Sequence, residues 1–418
     1  MIWRYLQDSI LESLKHFPVV LLTGARQVGK STLAQAMINA SWDATYFTLD
    51  DRTILDAALR DPDGFVNGLP VPAVIDEVQK APDLLRAIKR GVDQNRKPGQ
   101  YLLTGSANIM TLSTVSESLA GRIALHTLHP FCWPEFLEKP KPMILKELFG
   151  GIDSKKLLKN YSRTSLKGYK PRLIERILKG GYPPPALTES DQAREQWFSS
   201  YRQTYLERDL LNIKSIENLP DFNRLLSLAA LRTGRLLNLS DFSRETGLPF
   251  TTLRRYMNLL EVTYQISLIR PYFTHLGKRL VKTPKLYSND TGMATHLMGI
   301  NEWEVLENQG HAGPMVETWV ACELLKLMPV LDYRFRLYFW RTQTGQEIDF
   351  LIEKAGKVVA IEVKWGRQID ESDIRDLNRL AEDLKEKLLF SIILYSGTEG
   401  VPLGPKTVAI PFPVFFGV

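Results

Sequence analysis

Eight consecutive residues, Gly24-Ala25-Arg26-Gln27-Val28-Gly29-Lys30-Ser31, carry the first chemistry legible in this chain. They fit GxxxxGK[ST] at every fixed position, and Thr32 follows. Glycines let backbone N–H groups curl around phosphate oxygens, and a helix opening at Ser31 turns its partial positive end onto them. Lys30 is then placed to reach the terminal phosphate oxygens, and the Ser31 hydroxyl to ligate a divalent cation. Such a cation needs an acid opposite it. Pro72-Ala73-Val74-Ile75-Asp76-Glu77, an apolar strand ending in two acids, supplies one. Asp76 is expected in the Mg²⁺ shell and Glu77 as the general base that polarises water. The expected cofactors are ATP and Mg²⁺, and ATP and ADP are the expected small-molecule partners.

A second set of acids lies near the C-terminal end. Gly345-Gln346-Glu347-Ile348-Asp349-Phe350-Leu351-Ile352 reads as a strand carrying Asp349. Ala360-Ile361-Glu362-Val363-Lys364 reads as the next, with Glu362 and Lys364 on one face because strand side chains repeat every two residues. Glu317 sits upstream on a helix expected over Met315–Leu327. Two acids from adjacent strands can hold one or two divalent metals, Mg²⁺ or Mn²⁺, and a lysine beside them can orient water. The expected metal ligands there are Asp349 and Glu362. The same pair also fits a structural strand pair with exposed side chains.

Between these sites, Ser240-Asp241-Phe242-Ser243-Arg244-Glu245-Thr246-Gly247 reads as a short helix with a Ser N-cap and a Gly stop. Leu248-Pro249-Phe250 is the turn, and a second helix over Thr252–Leu260 bears Arg254 and Arg255. A hairpin follows, with strands near Tyr264–Arg270 and Lys285–Ser288 and a basic tip at Lys278, Arg279 and Lys282. Helix, turn, helix and basic wing fit DNA binding, and the same elements also serve as a packing module. Residues 139–180 hold twelve Lys and Arg against three acids, which leaves the rest of the chain slightly acidic. That block reads as a solvated helical face or as a contact to nucleic-acid phosphates.

The elements that must position these residues follow from patterning. Residues 1–135 alternate short apolar strands (Val19–Thr23, Thr45–Leu49, Ala73–Asp76, Tyr101–Thr104, Ile123–Leu128) with helical stretches, as in a parallel sheet covered by helices. Prolines at 130, 134, 140 and 142 mark a boundary. Residues 136–218 read as a basic helical lid or linker, broken at Gly180-Gly181-Tyr182-Pro183-Pro184-Pro185, with an aromatic helix over 196–213. The winged-helix candidate fills 219–300. Residues 301–418 return to α/β, with a helix over Ser372–Lys387 and a strand over Phe390–Tyr395. The chain has 418 residues, 44% apolar and 24% charged, with a net charge of +6, which excludes a disordered chain. No apolar run nears the roughly 18–20 residues that span a bilayer. Arg4, Asp8 and Glu12 interrupt what a signal peptide would need as its apolar core. Two cysteines, Cys132 and Cys322, exclude a disulfide framework and a zinc knuckle. The expectation is a soluble cytoplasmic protein with no membrane partner.

Several stretches resemble known families. The strand Thr45–Leu49, between the glycine loop and the acidic strand, resembles the additional-strand class of P-loop ATPases. Tyr101-Leu102-Leu103-Thr104-Gly105-Ser106-Ala107-Asn108 is similar to a sensor-1 strand, which implies that Thr104, Ser106 or Asn108 sits near the γ-phosphate. Arg122 in Leu119-Ala120-Gly121-Arg122 is placed as an arginine finger or sensor, in cis or in trans, or as an ordinary surface residue. The C-terminal acids resemble the PD-(D/E)xK nuclease core. Ile348 replaces the usual proline, and no QxxxY element follows.

Taken whole, GARQVGKS, VIDEVQ, LLTGSAN, GRIALHTLHPF, GGYPPP, TYLERDL, LPFTTLRRYMNLLE and GQEIDFLI…IEVK resemble a large prokaryotic ATPase family. Its members join an AAA-type P-loop ATPase domain to a winged helix and a restriction-endonuclease-like domain. The resemblance implies an α/β chain: a P-loop parallel sheet, a helical and winged-helix middle, and a C-terminal nuclease-like α/β domain. It implies ATP binding and hydrolysis. The leading expectation is an Mg²⁺-dependent ATPase whose nucleotide state controls a DNA-engaging half, with Glu317, Asp349, Glu362 and Lys364 as a metal-dependent nuclease site; the alternative is a nucleotide-driven switch or regulator with an inactive nuclease-like docking domain. A homo-oligomer or a protein partner is compatible with it.

Overall fold

The computed structural model describes residues 2–106, 121–161, 166–207, 218–273, 282–342 and 344–418. Asn108, Lys278 and Arg279, and the end of the aromatic helix expected over 196–213, lie outside the described residues. The chain divides into two units: Trp3–Pro130 with Asn258–Gln265, and Phe131–Met257 with Ile266–Val418.

The first unit is built on a five-stranded parallel sheet of β1 (Val19–Thr23), β2 (Thr45–Thr48), β3 (Ala73–Asp76), β4 (Tyr101–Thr104) and β5 (Ile123–Thr127). Their order across the sheet is β2-β3-β4-β1-β5. β1, VVLLT, pairs in parallel with β4 on one side and β5 on the other. All five of its residues are buried, as expected where helices cover both faces of a parallel sheet. The edge strands β2 and β5 are only partly buried. The strand that separates β1 from β3 in space is β4. Thr45–Thr48, which comes between them in sequence, pairs with β3 at the sheet edge.

The second unit carries a nine-stranded mixed sheet. Its strands are β6 (Arg235–Leu236), β7 (Ile266–Pro271), β8 (Lys285–Ser288), β9 (Arg336–Arg341), β10 (Glu347–Lys354), β11 (Lys357–Lys364), β12 (Leu388–Tyr395), β13 (Val401–Gly404) and β14 (Thr407–Pro411). They run in the order β13-β14-β12-β11-β10-β9-β7-β8-β6. The hairpin β7–β8 is therefore no free wing. β7 lies parallel to β9, Arg270 opposite Tyr338 and Pro271 opposite Phe339, and so continues the C-terminal sheet. The helix before that hairpin spans Leu239–Thr246, capped by Asn238 rather than Ser240 and stopped by left-handed Gly247. The next helix runs Phe250–Val262.

The long helix Ala312–Leu331 is buried along most of its length, Trp319, Val320, Ala321 and Leu324 among the most enclosed. A helix buried on several faces has few places for charge. Its acids, Glu317 and Glu323, each have a cation: Glu323 pairs with Lys326 at 3.0 Å and accepts the Trp133 N–H at 2.6 Å. Arg176, the one buried Lys or Arg of the expected basic block among the described residues, donates to the Phe131 carbonyl at 3.3 Å and lies 4.3 Å over the Phe136 ring.

The Gly180-Gly181 break has a steric cause. Gly180 has φ 69° and ψ −165°, and a Cβ there would lie 2.1 Å from Asp290 Oδ1. Asp290 accepts the Gly181 N–H at 2.6 Å and caps the helix Thr291–Met298 through the Met293 N–H at 2.9 Å. Gly180→Ala is expected to lower stability by about 2–4 kcal/mol, combining a glycine-only backbone with displacement of a buried carboxylate. Denaturant unfolding monitored by tryptophan fluorescence checks it, and an unchanged midpoint would refute this account.

Candidate functional site

The nucleotide-loop residues sit where β1 ends. Gly24 has φ 144°, and a Cβ on it would lie 2.3 Å from the Leu128 carbonyl oxygen, so only glycine lets the chain leave the sheet here. Gly29 is left-handed at φ 94° and directly precedes the helix Lys30–Ala40. Gln27, at φ 60°, is a non-glycine residue held left-handed, a mark of local strain. Ala25 and Val28 are buried beneath the loop, whereas Arg26, Gln27 and Thr32 are exposed. Lys30 is buried, and its Nζ folds back to donate to the carbonyls of Gly24 (3.2 Å) and Ala25 (2.9 Å). Burial pulls its pKa down to about 8, against the opposing pull of Glu77 and Asp76. Arg4 braces the loop from inside the unit, donating to the carbonyls of Val28 (3.1 Å) and His129 (2.6 Å).

β3 brings the acids to the same place. Asp76 is only 3% exposed and is ringed by hydroxyls. Ser31 Oγ donates to its two oxygens at 2.9 and 3.0 Å, Tyr46 OH donates to Oδ2 at 2.8 Å, and Thr104 Oγ1 donates to Oδ1. Glu77 follows in a left-handed conformation, φ 60°, and its N–H donates to Thr104 Oγ1 at 3.2 Å. Gln79 Nε2 donates to Glu77 Oε2, and Gln79 Oε1 accepts the Ser106 N–H at 3.3 Å. Lys30, Ser31, Asp76, Glu77, Thr104 and Ser106 are thus one constellation.

Tyr46, Gln79 and Arg4 belong to that constellation, and sequence reasoning missed them. Tyr46 had a usable signal. It alternates with Thr48 on β2, and Thr48 stands opposite Asp76 in register. Burial, then the bond to Asp76, raises its phenol pKa.

Arg122 is not brought to the site of its own chain. It precedes β5 beside the start of β1, whereas Gly24 follows the end of β1. At about 3.3 Å per residue, roughly 15–20 Å lies between them. There Arg122 pairs with Asp93 at 2.5 Å.

In the second unit, Glu317, Asp349, Glu362 and Lys364 do converge, with a company the spacing did not disclose. Lys285 on β8, 3% exposed along its side chain, extends into the acids. Its Nζ lies 2.8 Å from Glu317 Oε1 and 3.5 Å from Asp349 Oδ1, and it also pairs with Glu347. Tyr287 OH donates to Glu317 Oε1 at 2.5 Å. Asp349 Oδ2 accepts the Val363 N–H at 3.0 Å. Lys364 pairs with Glu362 at 3.1 Å and with Asp373 at 2.9 Å. Burial, then Asp349, raises Glu317 to about 7 against the pull of Lys285, and the same two causes raise Glu362 against Lys364. Burial draws Lys285 down, but Glu317, Asp349 and Glu347 together outweigh it and its pKa ends high.

Each acid of the expected metal pair faces a lysine ammonium, Asp349 that of Lys285 and Glu362 that of Lys364. Among the described residues no group of three or more His, Cys, Asp and Glu is disposed to hold a metal ion.

Comparison with known proteins adds the lineage. Residues 16–137 match an AAA domain, residues 170–304 a domain of unknown function (DUF8612), and residues 312–415 another (DUF4143). The chain is 30% identical over 401 residues to the uncharacterized protein Rv2008c of Mycobacterium tuberculosis, covering 96% of this chain and 81% of that protein. The chain belongs to the family of Rv2008c. It is 22% identical over 416 residues to the uncharacterized protein MJ1544 of Methanocaldococcus jannaschii, covering 95% of this chain and 87% of that one. Among solved structures, the Walker-type ATPase paby2304 of Pyrococcus abyssi aligns with 71% of this chain and 96% of its own, at 16% identity and a TM-score of 0.42.

Residues 16–137 are, by the family match, an AAA domain of the P-loop ATPase type, and this class of domain binds nucleotide and usually Mg²⁺. Among the described residues no helix is long and apolar enough to cross a membrane.

The depressed pKa of Lys30 has a signed consequence. Below about 8 the free protein carries an ammonium at Lys30, and above it the proton is lost. An anionic phosphate beside Nζ restores that proton. Nucleotide affinity is therefore expected to fall as pH rises past about 8, by up to about tenfold per pH unit, with net proton uptake on binding. Titration calorimetry in buffers of different ionisation enthalpy measures that uptake, and binding with no proton exchange near this pH would refute it.

Proposed function

We propose that this protein is an Mg²⁺-dependent ATPase whose nucleotide state controls a DNA-engaging second half. One observation carries the ATPase reading: the Ser31 hydroxyl meets both oxygens of Asp76 at 2.9 and 3.0 Å, at the opening of the helix that begins with buried Lys30. In this reading the backbone from Gly24 to Thr32 receives the phosphates, and the Lys30 ammonium leaves the Gly24 and Ala25 carbonyls for the terminal phosphate oxygens. Ser31 and Asp76 would hold Mg²⁺, whose chemistry is to neutralise charge on the β- and γ-phosphates. The fit is good because the Asp76 carboxylate is held by neutral hydroxyls, which carry no charge to oppose a cation. Glu77 serves as general base toward the attacking water, and Gln79 and Thr104 hold it and tie it to Ser106. Arg122, at the far end of the strands, serves only toward the site of a neighbouring copy, so this role goes with a homo-oligomer.

The DNA reading rests on exposed cations. Lys155, Lys156 and Lys159 are exposed on the helix Ser154–Tyr161, and Lys139, Lys146, Lys167 and Arg172 are exposed in the same block. Arg254 and Arg255 are exposed on the helix Phe250–Val262, and Lys282 is exposed beside the hairpin. We read residues 1–135 as the ATPase domain, 136–218 as a basic helical lid, 219–300 as a winged-helix-like region whose hairpin is continued by the C-terminal sheet, and 301–418 as nuclease-like in fold. Fold likeness by itself carries no cutting activity.

Lys30→Ala is expected to abolish nucleotide binding. Glu77→Gln is expected to keep binding while turnover drops at least about a hundredfold. Equilibrium binding of a fluorescent ATP analogue and phosphate release check both, and full turnover by Lys30→Ala would sink the assignment. Duplex DNA affinity is expected to fall with salt at a log–log slope of roughly −0.9 per phosphate neutralised, and more shallowly in Arg254→Glu/Arg255→Glu. A salt-independent affinity would point to the packing role instead.

A further inference from the structure

We infer that the carboxylate cluster of the second unit holds Lys285 as its own internal cation and takes no divalent metal ion in the native fold. The two residues expected to bind a metal have their oxygens committed. Asp349 gives one oxygen to the Val363 N–H at 3.0 Å and turns the other to Lys285. Glu362 pairs with Lys364 through one oxygen and accepts the Asp349 N–H at 3.4 Å through the other. The acids flanking them also face cations. Glu317 Oε1 receives both the Lys285 ammonium and the Tyr287 hydroxyl, while Glu347 is shared between Lys285 and Arg341, the latter at 2.5 Å.

A Mg²⁺ or Mn²⁺ ion needs several oxygens at about 2.0–2.2 Å and would have to displace an ammonium already among them. Lys285 has little freedom to leave. Its backbone is paired on both sides, opposite Ile269 of β7 and Leu236 of β6, so the side chain departs from the interior of a sheet. Swinging it out before an ion has taken its place would strand buried carboxylates without a counter-charge. The ammonium also makes a mechanical tie. One side chain from β8 bonds the helix Ala312–Leu331 and strand β10 together, so the hairpin and the C-terminal sheet share a single electrostatic joint.

Mn²⁺ titration of the full-length, nucleotide-free protein, with free Mn²⁺ read by electron paramagnetic resonance, tests this. Wild type and Asp349→Asn are expected to take up the same amount of Mn²⁺, because any uptake near Asp76 is common to both. Loss of one equivalent in Asp349→Asn would overturn the inference. Lys285→Met is expected to gain one Mn²⁺ equivalent that Lys285→Met/Asp349→Asn lacks, with Mn²⁺ raising the melting temperature of the single variant only. A folded Lys285→Met protein that gains no site would equally overturn it. Should that variant not fold, the comparison of wild type with Asp349→Asn still decides.

Discussion

A carboxylate removed from water must be met by donors, and each unit of this chain is arranged around that requirement. In the first unit the carboxylate is Asp76, and its donors are the uncharged hydroxyls of Ser31, Tyr46 and Thr104. In the second unit the acids are Glu317, Glu347, Asp349 and Glu362, and their donors are the cations Lys285, Lys364 and Arg341. The difference decides what each site can accept. Hydroxyls can surrender an anion to a stronger cation and turn to other acceptors. An ammonium fixed on an interior strand leaves no such opening.

The surrounding structure follows from keeping those donors in place. β4 lies between β1 and β3, so Thr104 at its end reaches both Asp76 and the Glu77 backbone. β2 lies on the far side of β3 and presents Tyr46 and Thr48 toward Asp76. In the second unit, β8 must pair with β7, and β7 with β9, for Lys285 to arrive at Glu317 and Asp349. The buried helix Ala312–Leu331 is compatible with this because each of its two interior acids meets a lysine.

Much of this was legible in the residues because it is local. The five strands of the first unit fall within a residue or two of their expected places, since each is a short apolar run bounded by turn formers. The glycine loop and Asp76-Glu77 announce themselves because phosphate chemistry demands contiguous types. Asp349, Glu362 and Lys364 share a face because the strand period is two. What stayed hidden is set by topology. Nothing in the spacing of Lys285 distinguishes a basic wing residue from the counter-ion of acids more than thirty positions away. Tyr46 reads as a β-former, and its bond to Asp76 depends on which strand lies beside β3. Arg122 reads equally well as a finger in cis or in trans until the strand direction puts it at the far end of the sheet from its own chain's glycine loop. Arg176 reads as one more exposed cation until its helix turns it inward. The strands Val401–Gly404 and Thr407–Pro411, short and interrupted by Gly and Pro, carried too little alternation to be found.

The parallel pairing of β7 with β9 bears on how the chain can be cut into pieces. A fragment beginning near residue 301 would keep Glu317, Glu347 and Asp349 and leave Lys285 behind with its strand. It would also bare the edge of β9, a row of unpaired backbone groups ready to recruit a strand from another molecule. Such a fragment would carry unneutralised acids in its interior and a sticky edge on its surface. Although the patterning returns to α/β near that point, the smallest sound piece of this region begins before the hairpin rather than after it.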